Sequence, residues 1–179
     1  MSESPIQSRR QFLSTGTTGA ISAAALSVAA LAGSGPSGAA QPATCGGMTR
    51  ERYMEYVALF NANDPAFLKF YHDDVVLELR NQELHGAKAI RDFYAEVKTY
   101  IKETVQVTHF IADATGIAVE LPSEFKVFKD WDSPYFGRKL KAGEAFRIIS
   151  FGLYWVQDGR FKQIKAARYK LVNDWRMEA

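Results

Sequence analysis

The chain has 179 residues, with 22 Lys and Arg against 20 Asp and Glu and a formal net charge of +2. That near-balance gives no electrostatic case for a nucleic acid or an anionic membrane as partner. Cys45 is the single cysteine, which rules out an internal disulfide.

The first 40 residues read as a leader. "SRRQFLS" (Ser8 to Ser14) is followed by the weakly apolar "GTTGAISAAALSVAALAG" and then by small residues ending in "SGAA". The pattern resembles a twin-arginine export signal, with cleavage after Ala39 or Ala40. A membrane anchor would need about 20 strongly apolar residues, and this stretch is too short and too polar for one. The resemblance implies passage through the twin-arginine translocase, a periplasmic or secreted destination, and no membrane partner once the signal is removed. Loss of Arg9, Arg10 and Glu3 takes two positive charges and one negative from the net +2 and leaves +1.

Residues 41–48 read as a flexible Gly/Pro linker, and 49–175 as one domain. Thr49 is placed to cap a helix "RERYMEYVALFNA", with Met54, Val57 and Ala58 sharing a stripe and Phe60 and Asn61 closing the next turn. Asp64 caps a second, short helix "PAFLKFYH" with Pro65 at its first position. "DDVVLEL" reads as a strand and "RNQELHG" as a turn back. "GAKAIRDFYAEVKTYIKETV" reads as the strongest helix, with Ile90, Phe93, Val97 and Ile101 as its apolar stripe. The period then switches to two, with strands expected near 104–113, 116–129, 139–157 and 160–172. Asp-Gly at the centre of "QDGR" marks a hairpin, "DATG" marks a second turn, and "KDWDSPYFGRKLKAG" reads as an irregular connection. Three N-terminal helices packed on a curved, mostly antiparallel sheet make an α+β fold that encloses a pocket.

Order and motifs together resemble the nuclear transport factor 2-like superfamily and, within it, SnoaL-like proteins. The carrying stretches are "RYMEYVALFNANDPAFLKFYHDDVVLEL", "LHGAKAIRDFY", "THFI" and "YWVQDGRFKQI", over residues 50 to 172. The resemblance implies a cone-shaped fold and, as family default, a homodimer through the sheet. Function is less determined, because the superfamily includes isomerases, dehydratases, cyclases, epoxide hydrolases and pure binding modules. Ketosteroid isomerases in it use a first-helix tyrosine, which Tyr53 matches. Their carboxylate base falls at Leu79 here, next to Glu78, and their late-strand acid falls at Phe151 or Gly152. Two of the three groups are missing, so that activity in its known form is rejected. Cyclase-type members use a late-strand acid, and "RIISFGLYWV" has none. Scytalone dehydratase resembles the chain at "THFI", where its pocket-facing catalytic histidine matches His109. Its first-helix acid is Asn61 here, and its second catalytic histidine has no counterpart.

His109 stands in an alternating row with Val105, Val107 and Ile111. It reads either as a proton shuttle in an apolar cup or as an architectural histidine satisfied by one hydrogen bond. His109 and Tyr53 are the candidate catalytic pair. Tyr56, Phe60, Asn61, Glu78, Phe151 and Tyr154 are the candidate ligand-binding residues. Arg147, Arg168, Glu120 and Glu124 read as cross-strand salt bridges, whereas an arginine inside the cavity would point to an anionic substrate. No cofactor or metal is expected, since His72, His85 and His109 share no strand or helix. Two readings compete. One is a cofactor-independent lyase or isomerase, dehydratase- or cyclase-like, acting on a small hydrophobic or aromatic molecule. The other is a non-catalytic ligand-binding or assembly module of the same fold.

Overall fold

In a computed structural model, residues 46–178 are described; the leader, its cleavage site, residues 41–45 and Cys45 lie outside them. The domain begins at Thr49, whose hydroxyl accepts the Arg52 N–H at 3.2 Å and starts helix α1, Arg50–Asn61. Its buried face is Tyr53, Tyr56, Val57 and Phe60, spaced i, i+3, i+4, i+7. The expected stripe through Met54 and Ala58 is thereby corrected. The aromatic residues take the core side, and Met54 and Ala58 are exposed.

Asp64 accepts the Ala66 N–H at 2.8 Å, and Pro65–Phe70 follows as one stretch of 3-10 helix, not as a second α-helix. Strand β1, Tyr71–Leu79, turns back into β2, Gln82–His85. Helix α2, Gly86–Val97, ends earlier than the periodicity suggests, and Ile101–Val105 is already strand β3. The stretch from Thr99 to Val105 is rich in β-branched residues, which favour extended backbone. Among the described residues the α-helices are therefore two, with a 3-10 segment between them, and the second follows the first hairpin.

The remaining strands are β4 His109–Ala112, β5 Ile117–Val127, β6 Trp131–Ser133, β7 Arg138–Leu140, β8 Glu144–Gln157 and β9 Arg160–Met177. The main sheet runs β2-β1-β9-β8-β5-β3, with β4 also on β5, and among the described residues only the β1–β9 pair is parallel. The expected hairpin at "QDGR" is present, with Asp158 and Gly159 both at positive φ. The expected turn at "DATG" is present too, its Asp113 carboxylate accepting from Thr115 and Gly116. The connection expected to be irregular contains the small hairpin β6–β7.

The sheet is curled, and its concave face receives α1 and α2. One core cluster gathers around Tyr53, Phe70, Ile90 and Phe161. A second joins Val97, Ile101, Val127, Trp131 and Leu140, with Tyr100 stacked on Trp131 at 4.8 Å. Gly46–Met48 are not free linker. Met48 is fully buried, and Gly46 O accepts the Gly159 N–H at 2.7 Å. No helix among the described residues is long and apolar enough to cross a membrane.

Candidate functional site

Between the helices and the concave face lies a cavity of about 710 Å³. Its helical wall is Tyr53, Tyr56, Val57 and Phe60 from α1 with Phe93, Tyr94 and Val97 from α2. The sheet supplies Leu77, Leu79, Leu121, Phe125 and Tyr154, and two hydroxyls, Ser123 and Ser150. Four of the expected residues, Tyr53, Tyr56, Phe60 and Tyr154, therefore line one space. Tyr53 packs its ring 5.2 Å from that of Tyr154, edge to face. The Tyr56 and Tyr71 hydroxyls are hydrogen-bonded at 2.9 Å. Burial pushes the phenols of Tyr53, Tyr56, Tyr71 and Tyr94 well above their ordinary value, and that of Tyr154 to about 12. These groups stay protonated and serve as hydrogen-bond donors.

The other four expected residues lie elsewhere. His109 is on the convex face, its side chain 74% exposed, with Nδ1 2.7 Å from Glu120 Oε2. The Thr108 hydroxyl donates to the same oxygen at 2.6 Å, and the Tyr169 hydroxyl donates to Glu120 Oε1 at 2.6 Å. Those hydrogen bonds, from Thr108, Tyr169 and His109, hold the Glu120 carboxyl down at about 2. His109 thus belongs to an outer polar cluster and does not reach the cavity. Glu78 also faces outward, pairing with Lys165 Nζ at 2.9 Å and accepting from Gln163 at 2.6 Å, while its neighbours Leu77 and Leu79 face in. Phe151 is outside as well, stacked on Tyr169 at 4.2 Å. Asn61 is structural. Its side chain donates to Val105 O and accepts Val105 N–H, both at 2.8 Å, which ties the end of α1 to β3.

The displacement of His109 has a local cause. Val105 pairs with Ser123, but His109 pairs with Glu120, so the three residues 106–108 face the two residues 121–122. Thr108 and His109 both turn outward and both bond Glu120. This is a β-bulge, and beyond it the inward parity switches from odd to even numbers. Ile101, Glu103 and Val105 point inward on β3; Phe110 and Ala112 do so on β4.

The same alternation brings in a residue that sequence reasoning missed. Glu103 lies on the cavity wall between Ile101, which is fully buried, and Val105. It is half-buried, one of the residues that line the cavity. Burial raises its carboxyl from 4.5 to about 7, and the nearby Lys98 ammonium only partly opposes this. Lys98 itself is held by Phe60 O and lies 3.8 Å from the centre of the Phe60 ring. A carboxyl half ionised near neutrality, inside an aromatic cavity with phenol donors, can accept a proton from a substrate and return it. The signal for it was a carboxylate in the alternating row "IKETV", hidden because that stretch reads as the end of a helix. Among the described residues no three His, Cys, Asp or Glu side chains converge as metal ligands.

Residues 51–164 match the family model of the SnoaL-like domain. The chain belongs to the SnoaL-like family. No curated protein sequence matches it significantly. Among solved structures it is similar to an LEH-like epoxide hydrolase of M. tuberculosis, at 13% identity and TM-score 0.55, over 66% of this chain and 82% of that one. A Pseudomonas putida KT2440 protein assigned as a polyketide cyclase shares 20% identity at TM-score 0.55, over 68% and 90%. An NTF2-like protein of unknown function from Burkholderia pseudomallei K96243 shares 17% at TM-score 0.51, over 65% and 86%. These likenesses show the fold: NTF2-like α+β, with a curled, mostly antiparallel sheet.

Proposed function

We propose that this SnoaL-like domain is a cofactor-independent acid–base enzyme, a lyase or isomerase, acting on a small hydrophobic or aromatic substrate inside the cavity. The observation that carries this reading is the Glu103 carboxyl, held at about 7 in an aromatic enclosure. Glu103 takes the role first considered for His109. It removes a proton from carbon beside a carbonyl, and the electron pair moves to the carbonyl oxygen. A buried phenol then donates a hydrogen bond to that oxygen. The Glu103 charge contributes to holding up the phenols of Tyr56, Tyr94 and Tyr154, and with the Tyr56 hydroxyl already bonded to that of Tyr71, Tyr94 and Tyr154 are the proposed donors. Tyr53 supports their wall. Both lyase and isomerase outcomes share this first step and differ in what leaves or returns.

The full chain is incubated in D₂O with a panel of aryl ketones, and exchange of the α-hydrogens is followed by NMR. Exchange that rises with pH around 7 and drops at least a hundredfold in Glu103→Gln is expected. Ligands that bind without any exchange would favour the binding-module alternative, whose support is the largely apolar wall.

We also propose export by the twin-arginine route to the periplasm or beyond. Its support is the "SRRQFLS" stretch and the weakly apolar run behind it. Changing Arg9 and Arg10 together to Lys should leave the chain in the cytoplasm, and undiminished delivery, read by fractionation, would defeat this.

A further inference from the structure

The open side of the cavity is more basic than the chain as a whole. Of its charged lining residues, the exposed ones are three arginines (Arg80, Arg138 and Arg168) and one acid, Asp174, and Glu103 is half-buried. Arg138 is partly committed, donating to Glu144 Oε1 at 2.8 Å. Arg80 and Arg168 have no carboxylate within 4.0 Å among the described residues. Arg147, on the outer face, is by contrast paired with Glu124 and Glu178.

Arg168 is directed to the inside by register, since it pairs with Ser150, a lining residue. Its guanidinium lies 6.0 Å from the Phe146 ring, and that of Arg138 lies 5.9 Å from the Trp175 ring. Phe146 and Trp175 are themselves stacked at 4.7 Å, 13° from parallel. Two exposed arginines thus lie beside one aromatic stack on the cavity wall. Phe146 shares a transverse row with Phe125 and Glu103, two strand spacings away. At about 4.8 Å per spacing, the backbones of Phe146 and Glu103 are about 10 Å apart.

From this geometry, and resting on the reading of the cavity as the reactive site, we infer that the substrate is an aromatic carboxylate. Its ring system lies against the Phe146–Trp175 stack, and its carboxylate is held by Arg168 and Arg80 at the mouth. The guanidinium fork matches a carboxylate in shape and charge. Orientation follows from the same charges. The anionic end is repelled from Glu103 and attracted to the mouth, which leaves the carbon chain beyond the ring to reach the buried acid. A neutral ligand of the same shape has no such preference for one end.

The test compares 2-naphthylacetate with its methyl ester and its amide, titrated into the full chain by calorimetry. The carboxylate should bind at least tenfold more tightly than either neutral analogue, about one charge-assisted contact. The preference should shrink with added salt. It should fall to near unity in the Arg80→Gln, Arg168→Gln double variant, whose fold is checked by its melting curve. Glu103→Gln should keep it. Neutral analogues binding as tightly as the carboxylate would overturn the inference while leaving the cavity as the site. A preference unchanged in the double variant would overturn it too. No binding of any of the three would remove both readings. An intact carboxylate preference with no proton exchange would uphold this inference and sink only the enzymatic one.

Discussion

A carboxyl inside an aromatic cavity costs the fold stability whenever it must be charged. Glu103 titrates at 4.5 when unperturbed and at about 7 in the folded chain. Below pH 4.5 both states hold the proton and no penalty arises. Between 4.5 and 7 the unfolded chain releases it while the folded one keeps it, so stability falls as pH rises, and the full penalty is present above 7. Glu103→Gln should therefore stabilise the chain by up to about 3 kcal/mol at pH 8, and by almost nothing at pH 4. Urea unfolding at the two pH values measures this, and equal effects at both would mean that Glu103 is not held above its ordinary value. The site was half legible. Tyr53, Tyr56, Phe60 and Tyr154 could be placed because helical spacing and strand alternation both mark them for burial. His109, Glu78 and Phe151 could not, because alternation says which residues share a face and is silent on which face is concave. In each of the three, the immediate neighbour is the one that faces in, as Leu79 and Gly152 show.

At the scale of elements, the misreadings share one cause: a local pattern continued past the point where tertiary pairing overrules it. The stripe of α2 runs on through Ile101 in register, yet the chain leaves the helix at Val97 and pairs Ile101 with Val127. The row of Val105, Val107 and His109 runs on as well, yet the bulge at Thr108 and His109 reverses it. Elements with capping or turn chemistry of their own, at Thr49, Asp64 and Asp158–Gly159, fell where the residues put them. The bulge makes a sharp expectation. Deleting Thr108 restores two residues against two, keeps Val107 inward, and leaves His109 outward opposite Glu120. That variant should fold, with a melting temperature a few degrees lower for the lost Thr108–Glu120 hydrogen bond. A chain that no longer folds would show that the bulge is required for more than parity. Deleting Phe110 instead removes the ring packed 5.5 Å from Tyr53 and should be far more damaging.

For the molecule as a whole, the convex face raises a question that the cavity does not answer. Phe151, Leu153, Trp155 and Tyr169 stand on it, between 38% and 50% exposed, and Ile111 on β4 is 69% exposed. Leu153 pairs with Ala118, which pairs with Ile111, so an apolar band crosses three strands, and Tyr169 on β9 joins it by stacking on Phe151. The Glu120 cluster borders that band, since Glu120 pairs with Phe151. An apolar centre with a polar margin is the usual build of a protein interface. A sheet face of this kind can meet its own copy about a two-fold axis, with every residue used twice. His109 then finds its place as part of the rim, fixed by Glu120, and needs no role in chemistry. The expected outcome is a homodimer in sedimentation velocity. Leu153→Lys with Trp155→Lys should convert it to a monomer, because a lysine at the centre of the band would be buried without a partner. Arg168→Gln, on the inner face, should leave the mass unchanged. A wild-type chain that sediments as a monomer would show that the band serves some other surface, and the double substitution would then change solubility alone.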